Sequence, residues 1–431
     1  MSADDLATRF FLAAAVILIV CKLVSLLVGR AGRAGQPPVV GEMIAGILLG
    51  PSLLGEISPR LEADLFPRAL LPVIYVAGQL GLVALMFQAG RQLRGYLRPG
   101  LGRTASVISG LGVGVPLAAG AGLAVVAAGH VPIFTRGVDT GVTAAFVGVT
   151  LAITAFPMLA RIIIERGLSG TRFGSLALAC GGVDDMAAWI LLAGVLSLAS
   201  AKLWPFAKAF AGAVLFVAIL IFVVRPLLDR YLRRPGVSPH TVLLVTMTLV
   251  LAAAWFTTDI GLYAVFGGFS IGLVMPVPDA AAAPADLVAP TMDGISRLLV
   301  PMFFTYSGLN TRFALLGNPR ILLFSAAAIA VAVLSKGGAC WLGARVAGEP
   351  GSVAARIGAL MNARGLMQLI ALNVGLQAGI AGQDLFTSLV LVALVTTMMT
   401  APLLNWLDRR DSGTVPVGAA RLTADLGQAP G

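Results

Sequence analysis

The chain has 431 residues, of which 58% are apolar and 12% are charged. A soluble globular chain of this length carries roughly 25% charged residues, so the composition excludes an ordinary soluble protein and predicts an integral membrane protein with short loops. The net charge of +10 comes from arginines between apolar runs. The charge bias of cytoplasmic loops explains these arginines better than nucleic-acid binding, and no nucleic-acid partner is expected.

The apolar runs predict about thirteen transmembrane helices, since a helical span needs about 20 apolar residues. The runs fall near residues 10–28, 38–55, 70–90, 104–128, 141–160, 174–200, 205–228, 240–258, 261–276, 295–309, 320–344, 356–378 and 385–407. The first run lacks a preceding basic segment, so it is predicted to be a retained helix and not a signal peptide. Residues 1–407 are thus assigned to one all-α transmembrane domain, and residues 408–431 to a short disordered cytoplasmic tail.

The distribution of basic residues predicts how the chain is oriented. If the N-terminus lies outside and the spans alternate, the inside loops hold 18 arginines, whereas the outside segments hold 8 arginines and lysines. One missed or invented span would place successive basic loops on opposite sides. The bias therefore favours thirteen spans, with the N-terminus outside and the C-terminus cytoplasmic, in the inner membrane of the cell.

Two apolar runs contain residues that break helices. Pro157 lies inside the fifth run, where its missing backbone donor and its ring predict a kink or a break. Asn362, Arg364 and Gly365 lie inside the twelfth run. One interrupted helix in each half of the chain is typical of transporters built from inverted repeats, and it predicts two interrupted helices in an inverted-repeat fold.

Adjacent carboxylates in the sixth run are the strongest functional signal. Asp184 and Asp185 lie within an apolar helix, and their side chains point about 100° apart. One can bind a partner while the other faces a cavity. Burial and a nearby acid favour the protonated form, whereas the ionised form supplies the oxygen and the charge that a dehydrated monovalent cation needs. Protons and cations then compete for one site. The alternative is a pair of acids satisfied by hydrogen bonds between helices.

Lys336 is the lysine deep in a late span, and a buried cation needs an anion. Asp184 and Asp185 are both candidates for that anion, and the alternative is a lysine that snorkels to the membrane surface. Lys22 is predicted to snorkel. Asp293 and Arg297 are predicted to form an ion pair four residues apart on one helix.

Four polar residues complete the candidate site. Thr154, at the first interruption, can offer its hydroxyl to an ion. Arg364 and Asn362 are expected to neutralise or orient the helix ends exposed at the second interruption. Glu42 either pairs with Arg364 or another core charge, or relays protons.

The sequence contains few of the residues that enzymatic or metal chemistry needs. The three cysteines are far apart, the two histidines lie near span ends, and no nucleophile or zinc-protease motif is present. We expect no cofactor, and no metal other than a monovalent cation at Asp185.

The ordered set of motifs resembles the monovalent cation:proton antiporter-2 family, which includes NapA-type sodium/proton exchangers and Kef potassium efflux systems. The matching segments cover nearly the whole membrane region; they are residues 37–52, 154–157, 184–185, 303–309, 336–337 and 362–365.

The resemblance implies thirteen helices in a dimerisation domain and a mobile core, with the interrupted helices crossing at mid-membrane. Asp185 would take the transported cation or proton, and Asp184 would pair with Lys336. Transport would follow an elevator-like movement in a homodimer, and the Asp-Asp pair favours electrogenic exchange. Gln368 departs from the pattern, since many relatives carry a glutamate there. Gating by a cytoplasmic domain like those of the potassium efflux and plant relatives is not expected.

Two other classes of protein stay open at this point. One is a sodium-coupled symporter of an organic anion on a related fold, and the other is a cation channel. The sequence does not distinguish Na⁺ from K⁺ or Li⁺ as the exchanged cation, because cavity size and ligand number decide that choice.

Overall fold

The computed structural model describes residues 2–31, 36, 38–96, 101–135, 137–168, 170–200, 203–232, 234, 236–276 and 287–412. These residues form helices, and the one β contact among them is an isolated bridge between Phe134 and Ala381. The first nine α-helices are α1 (Ala3–Ala31), α2 (Pro38–Leu49), α3 (Leu54–Ile57), α4 (Pro59–Leu65), α5 (Leu71–Tyr96), α6 (Gly102–Ala127), α7 (Thr140–Ala152), α8 (Phe156–Glu165) and α9 (Arg172–Ser200). The remaining nine are α10 (Leu203–Ile219), α11 (Arg225–Leu232), α12 (Pro239–Asp259), α13 (Ala264–Val274), α14 (Val288–Leu309), α15 (Pro319–Val346), α16 (Gly351–Met361), α17 (Gly365–Gln377) and α18 (Gln383–Ser412).

The helices confirm the predicted all-α membrane fold. Within the described ranges, 11 helical segments are long and apolar enough to cross a membrane. The two other predicted spans correspond to α13, which has 11 residues, and to α14, which has 22 residues and carries Asp293 and Arg297. The helix count therefore agrees with about thirteen spans.

Two predicted boundaries differ from the structure. Helix α14 begins at Val288 and not near residue 295, because its first turns are too polar for an apolar run to reveal. Helix α18 continues to Ser412, past the predicted start of the tail at residue 408. Arg409 and Arg410 in its last turn interact favourably with the helix dipole. The rest of the predicted tail, residues 413–431, lies outside the described residues.

The helices pack into two groups. The core group is α6–α9 and α15–α18, and the outer group is α1, α2, α5 and α12–α14. Helix α10 packs on α9 and contacts α12, and so joins the groups. In the first half of the chain, the outer spans α1, α2 and α5 are followed by three core spans: the straight α6, the broken α7–α8 and the straight α9. The second half repeats this order with α12, α13 and α14, and then α15, α16–α17 and α18. Because the halves are offset by seven spans, an odd number, the second half has the opposite orientation in the membrane.

The two broken helices cross at their interruptions. Helix α7 ends at Ala152 and α8 begins at Phe156, while α16 ends at Met361 and α17 begins at Gly365. The backbone nitrogen of Ala155 donates a hydrogen bond to the carbonyl of Ala363 over 2.9 Å. This bond pairs one backbone N–H of the first break with one backbone carbonyl of the second. Pro157 follows the first break and lies in the first turn of α8, where a missing N–H removes no intrahelical bond.

Within the outer group, α2 and α14 cross at two glycines. A β-carbon at Gly308 would lie 2.6 Å from the backbone nitrogen of Ile47 and would collide with the carbonyl of Gly46. A β-carbon at Gly338, in α15, would meet no atom within 4 Å. Small residues at such crossings let backbones approach closely in lipid.

We therefore expect Gly308→Ala to lower the free energy of unfolding by about 1–3 kcal/mol, because the rigid backbone of α2 cannot move aside locally. Gly338→Ala is the matched control, and we expect it to be neutral or to stabilise by up to about 1 kcal/mol through helix propensity. Thermal unfolding of both variants in the same detergent measures the difference. Equal effects would contradict the tight α2–α14 crossing.

Polar contacts tie the ends of several core helices together. Arg172, at the start of α9, donates to both carboxylate oxygens of Glu349 over 2.8 and 2.7 Å. Glu349 lies between α15 and α16 and is buried, and its carbonyl accepts from Arg345 over 2.8 Å. Arg356 of α16 contacts Asp408 of α18 at 3.1 Å. These bonds link the start of α9 and the end of α15 to the segment that joins α15 and α16, and they link α16 to α18.

Candidate functional site

A buried ion pair lies beside the first break. The ammonium of Lys336, in α15, donates to Asp184 Oδ2 over 2.7 Å and to the carbonyl of Ala152 over 2.7 Å. Both charged side chains are completely buried. Ala152 is the last residue of α7, so its carbonyl has no partner within the helix, and the lysine satisfies it. Lys336 therefore does not snorkel, and its partner is Asp184 and not Asp185.

Thr154 lies inside the break and is completely buried. Its hydroxyl is 3.0 Å from Asp184 Oδ2, to which it donates, and 3.5 Å from the carbonyl of Met361. One oxygen of Asp184 therefore accepts from Lys336 and from Thr154, whereas Oδ1 is buried without a partner among the described residues. The hydroxyl proton of Thr154 is used within the protein, and its oxygen keeps lone pairs that an ion can approach.

Asp185 has the opposite environment. Asp185 is 2% exposed, and its Oδ1 has no hydrogen-bond partner among the described residues. The charged group that acts on it is its neighbour Asp184. A buried carboxylate oxygen without a donor is costly unless it binds a proton or a cation. The two acids of one helix are therefore different: Asp184 is compensated and Asp185 is not.

Arg364, at the second break, was expected to act on the helix ends of that break, but it bonds instead to the end of the first broken helix and to α15. The guanidinium of Arg364 is completely buried and donates to the carbonyls of Ala332, over 2.9 Å, and Thr150, over 3.4 Å. It thereby covers backbone oxygens of α15 and of the last turn of α7. The amide nitrogen of Asn362 lies 3.4 Å from the carbonyls of Val333 and Gly358, and its side-chain oxygen is buried without a partner.

Glu42 lies outside this cluster. It is half-buried on α2, and the cations whose charges act on it are Arg161, Lys22 and Arg297. Arg161 belongs to α8, so Glu42 faces a core charge, but that charge is not Arg364. Lys22 is exposed on α1, as a snorkelling lysine would be.

Two other predicted features have defined positions. Arg297 and Asp293 form the predicted ion pair over 2.6 Å. Gln368 is completely buried in α17, where its amide nitrogen donates to the carbonyl of Leu389 over 3.2 Å and its oxygen has no partner.

Thr397 was not predicted from the sequence. This completely buried residue of α18 accepts a hydrogen bond from the backbone nitrogen of Gly365 over 3.0 Å and donates to the carbonyl of Ala393 over 2.6 Å. It therefore caps the first residue of α17 at the crossing. The available signal was the hydroxyl pair Thr396–Thr397 inside an apolar run.

We expect Thr397→Val to raise the cation concentration for half-maximal exchange, because the Gly365 N–H is left unpaired at a cost of about 1–3 kcal/mol and the break shifts. Thr397→Ser keeps the hydroxyl and should restore the wild-type value. The measurement is the concentration dependence of exchange in proteoliposomes. Identical values for valine and serine would contradict a positioning role.

The crossing of two broken helices between inverted repeats, with a buried acid pair beside it, defines a secondary transporter. The family model described as sodium/hydrogen exchanger, transmembrane, matches residues 10–406. The chain therefore belongs to the sodium/hydrogen exchanger family, and the protein is a multi-pass membrane antiporter of monovalent cations and protons.

Curated relatives agree with this assignment. The chain is 35% identical to Na(+)/H(+) antiporter NhaS4 of Synechocystis, over 93% of this chain and 97% of the relative. It is 29% identical to Na(+)/H(+)-K(+) antiporter GerN of Bacillus cereus, over 92% and 96%. It is 31% identical to K(+)/H(+) antiporter 1 of Saccharomyces cerevisiae, over 92% of this chain but 46% of that longer protein. These relatives give no support to the organic-anion symporter or the channel.

A solved structure shares the fold. The sodium proton antiporter MjNhaP1 of Methanocaldococcus jannaschii superposes with a TM-score of 0.68 at 14% identity, over 93% of this chain and 98% of that structure.

Proposed function

We propose that the protein exchanges Na⁺ or K⁺ for protons by alternating access, and that Asp185 binds the two substrates in turn. The observation that carries this assignment is the contrast within the acid pair. Asp184 is held by Lys336 and Thr154, whereas the buried Oδ1 of Asp185 has no partner in the part of the chain that the structure describes. The relatives named as Na⁺/H⁺ and K⁺/H⁺ antiporters support the same two substrates.

The site supplies oxygens for a dehydrated cation. Asp185 provides negative charge, and Asp184 Oδ1 and Asn362 Oδ1 are further buried oxygens that no described residue bonds. Thr154 adds the lone pairs of its hydroxyl. When Asp185 takes a proton, the charge that holds the cation disappears, so each substrate expels the other. This competition is sufficient for coupled exchange at a single site.

Exchange of one cation for one proton moves no net charge, so an electrogenic cycle needs a second proton carrier. Lys336 is the proposed carrier, because its ammonium bonds directly to Asp184. A cation that draws Asp184 away would leave the lysine unpaired in the core, which favours release of its proton.

The proposed movement is a displacement of the core group against the outer group. The ion site lies on α7–α9 and α15–α17, which all belong to the core group, so it moves as a unit. The bond between Asn373 of α17 and Ser307 of α14, over 2.8 Å, crosses between the groups and would break. We further propose that the protein is a homodimer in the inner membrane. We also propose that its N-terminus lies outside, an orientation that the distribution of arginines favours.

The test is proton flux in proteoliposomes, followed with a pH-sensitive dye from pH 6 to 9. Na⁺, K⁺ and Li⁺ are added in turn, with protein-free liposomes as the control. We expect cation-driven proton release that also depends on an imposed membrane potential. Absence of release with every cation, from protein shown to be folded, would overturn the proposal. Proton release that does not change with the imposed membrane potential would overturn the proposal that exchange is electrogenic.

A further inference from the structure

A cavity of ≈ 610 Å³ opens between the end of α6 and the start of α15, away from the ion site. Its walls are apolar and include Leu123 and Val126 from α6, and Leu323 and Phe324 from α15. His130 and Arg320 lie at its rim. A volume of this size is typical of a ligand pocket.

The helix lengths place this rim at the membrane surface. Helices α6 and α15 have 26 and 28 residues, so each is about 40 Å long, which exceeds the ~30 Å hydrocarbon layer. His130 follows the last turn of α6, and Arg320 lies in the first turn of α15. About 5 Å of each helix therefore projects beyond the hydrocarbon layer at each end. Leu123, Leu323 and Phe324 lie where the acyl chains begin, whereas the two basic side chains and Val126 lie at headgroup depth.

Arg320 provides a free positive charge at this depth. Its side chain is exposed, and its guanidinium forms no hydrogen bond or ion pair with the described part of the chain. Its backbone nitrogen is fixed by Asn318 Oδ1 over 3.0 Å, which holds the residue at the cavity mouth. His130 Nδ1 lies 3.0 Å from the carbonyl of Ala128, so Nε2 is left for a ligand. Among the described residues that line the cavity, none is acidic.

We propose that the cavity binds an anionic phospholipid, with its phosphate on Arg320 and an acyl chain between the apolar walls. An arginine guanidinium matches phosphate oxygens in charge and geometry. A soluble phosphate would leave the apolar walls uncovered, whereas a zwitterionic lipid would bring its own cation next to the unpaired arginine. The lipid that satisfies both parts of the cavity therefore carries a net negative headgroup.

The test compares phosphatidylglycerol with phosphatidylcholine of the same acyl chains. The full-length protein in neutral detergent is titrated with each lipid, and the midpoint of thermal unfolding is recorded. We expect a larger rise with phosphatidylglycerol. In Arg320→Gln the apparent affinity for phosphatidylglycerol should fall about fivefold, while the response to phosphatidylcholine stays unchanged. Arg68→Gln, an exposed arginine at a span end on the same membrane face, should behave as wild type.

Three results of the thermal-unfolding titration would overturn the proposal. The first is an equal response of the wild-type protein to the two lipids. The second is an undiminished phosphatidylglycerol response in Arg320→Gln. The third is an equal shift from water-soluble glycerol phosphate, which would define an anion site without a lipid. Native mass spectrometry of the wild-type protein in an equimolar lipid mixture needs no variant, and equal retention of both lipids would also overturn it.

Discussion

Replacement of Asp185 by asparagine is expected to reduce cation-driven proton flux to the level of protein-free liposomes, while the protein stays folded. An amide has nearly the shape of the carboxylate, but between pH 6 and 9 it neither gains nor loses a proton. It also carries no charge that could bind a cation. Because Oδ1 of Asp185 is buried without a donor, removing the charge also removes a desolvation penalty. The variant should therefore unfold at the wild-type temperature or above it.

Cation binding gives a second measure of the same prediction. A ligand that binds only the folded state raises its stability, and the gain grows with the ratio of free ligand concentration to dissociation constant. Because the cation binds the ionised form of Asp185, the stabilisation by Na⁺ or K⁺ in the wild-type protein should grow as the pH rises. Asp185→Asn should show no such pH-dependent stabilisation. Thermal unfolding from pH 6 to 9, with and without the cation, tests both statements.

A matched substitution elsewhere separates the site from a general loss of charge. Asp293→Asn removes an acid from α14 that is paired with Arg297 near the membrane surface. This variant should keep the wild-type flux and its cation dependence. Flux in Asp185→Asn that still responds to the cation would contradict the assignment of the binding group.

The sequence alone predicts those parts of the site that rest on local chemistry. Apolar runs indicate the spans. Pro157 and Asn362 indicate the two breaks, because a proline and a polar residue each stand inside a run that is otherwise apolar. Lys336 requires a buried anion, so the sequence predicts an ion pair. It does not choose the partner, since adjacent acids on a helix are both within reach until the neighbouring helices are placed.

The contacts that the sequence cannot predict are those between helices distant along the chain. A threonine in a span commonly bonds the carbonyl four residues earlier, as Thr397 does with Ala393, and this local bond gives no sign of a second partner. Its bond to Gly365 exists because α18 packs against the crossing. Glu42 is similar, because the charge of Arg161 acts on it from α8, a helix that lies more than 100 residues further along the chain.

The charge balance of Asp184 and Lys336 leads to the second large effect. Lys336→Gln leaves an ionised, completely buried carboxylate without its cation, and Asp184→Asn leaves an ammonium in the same position. Loss of one member of a buried pair costs about 3–5 kcal/mol, whereas removal of both is often close to neutral. We therefore expect each single variant to be strongly destabilised, and the double variant to be more stable than the sum of the two effects.

A double-mutant cycle of unfolding free energies measures this coupling. The control is Lys208→Gln, which removes the cation of a surface pair with Asp259 at 3.1 Å, where both side chains are partly exposed. That loss should cost less than about 1 kcal/mol, because water screens the pair. Additive effects of Asp184→Asn and Lys336→Gln would contradict a direct buried ion pair.

The same variants separate stability from coupling. If Lys336 carries the second proton, the double variant should fold and should still exchange one cation for one proton through Asp185, because Oδ1 of Asp185 keeps its unpartnered position. Its flux should no longer respond to an imposed membrane potential. A double variant whose flux keeps the wild-type voltage dependence would assign the second proton to another group, while leaving Asp185 as the binding residue.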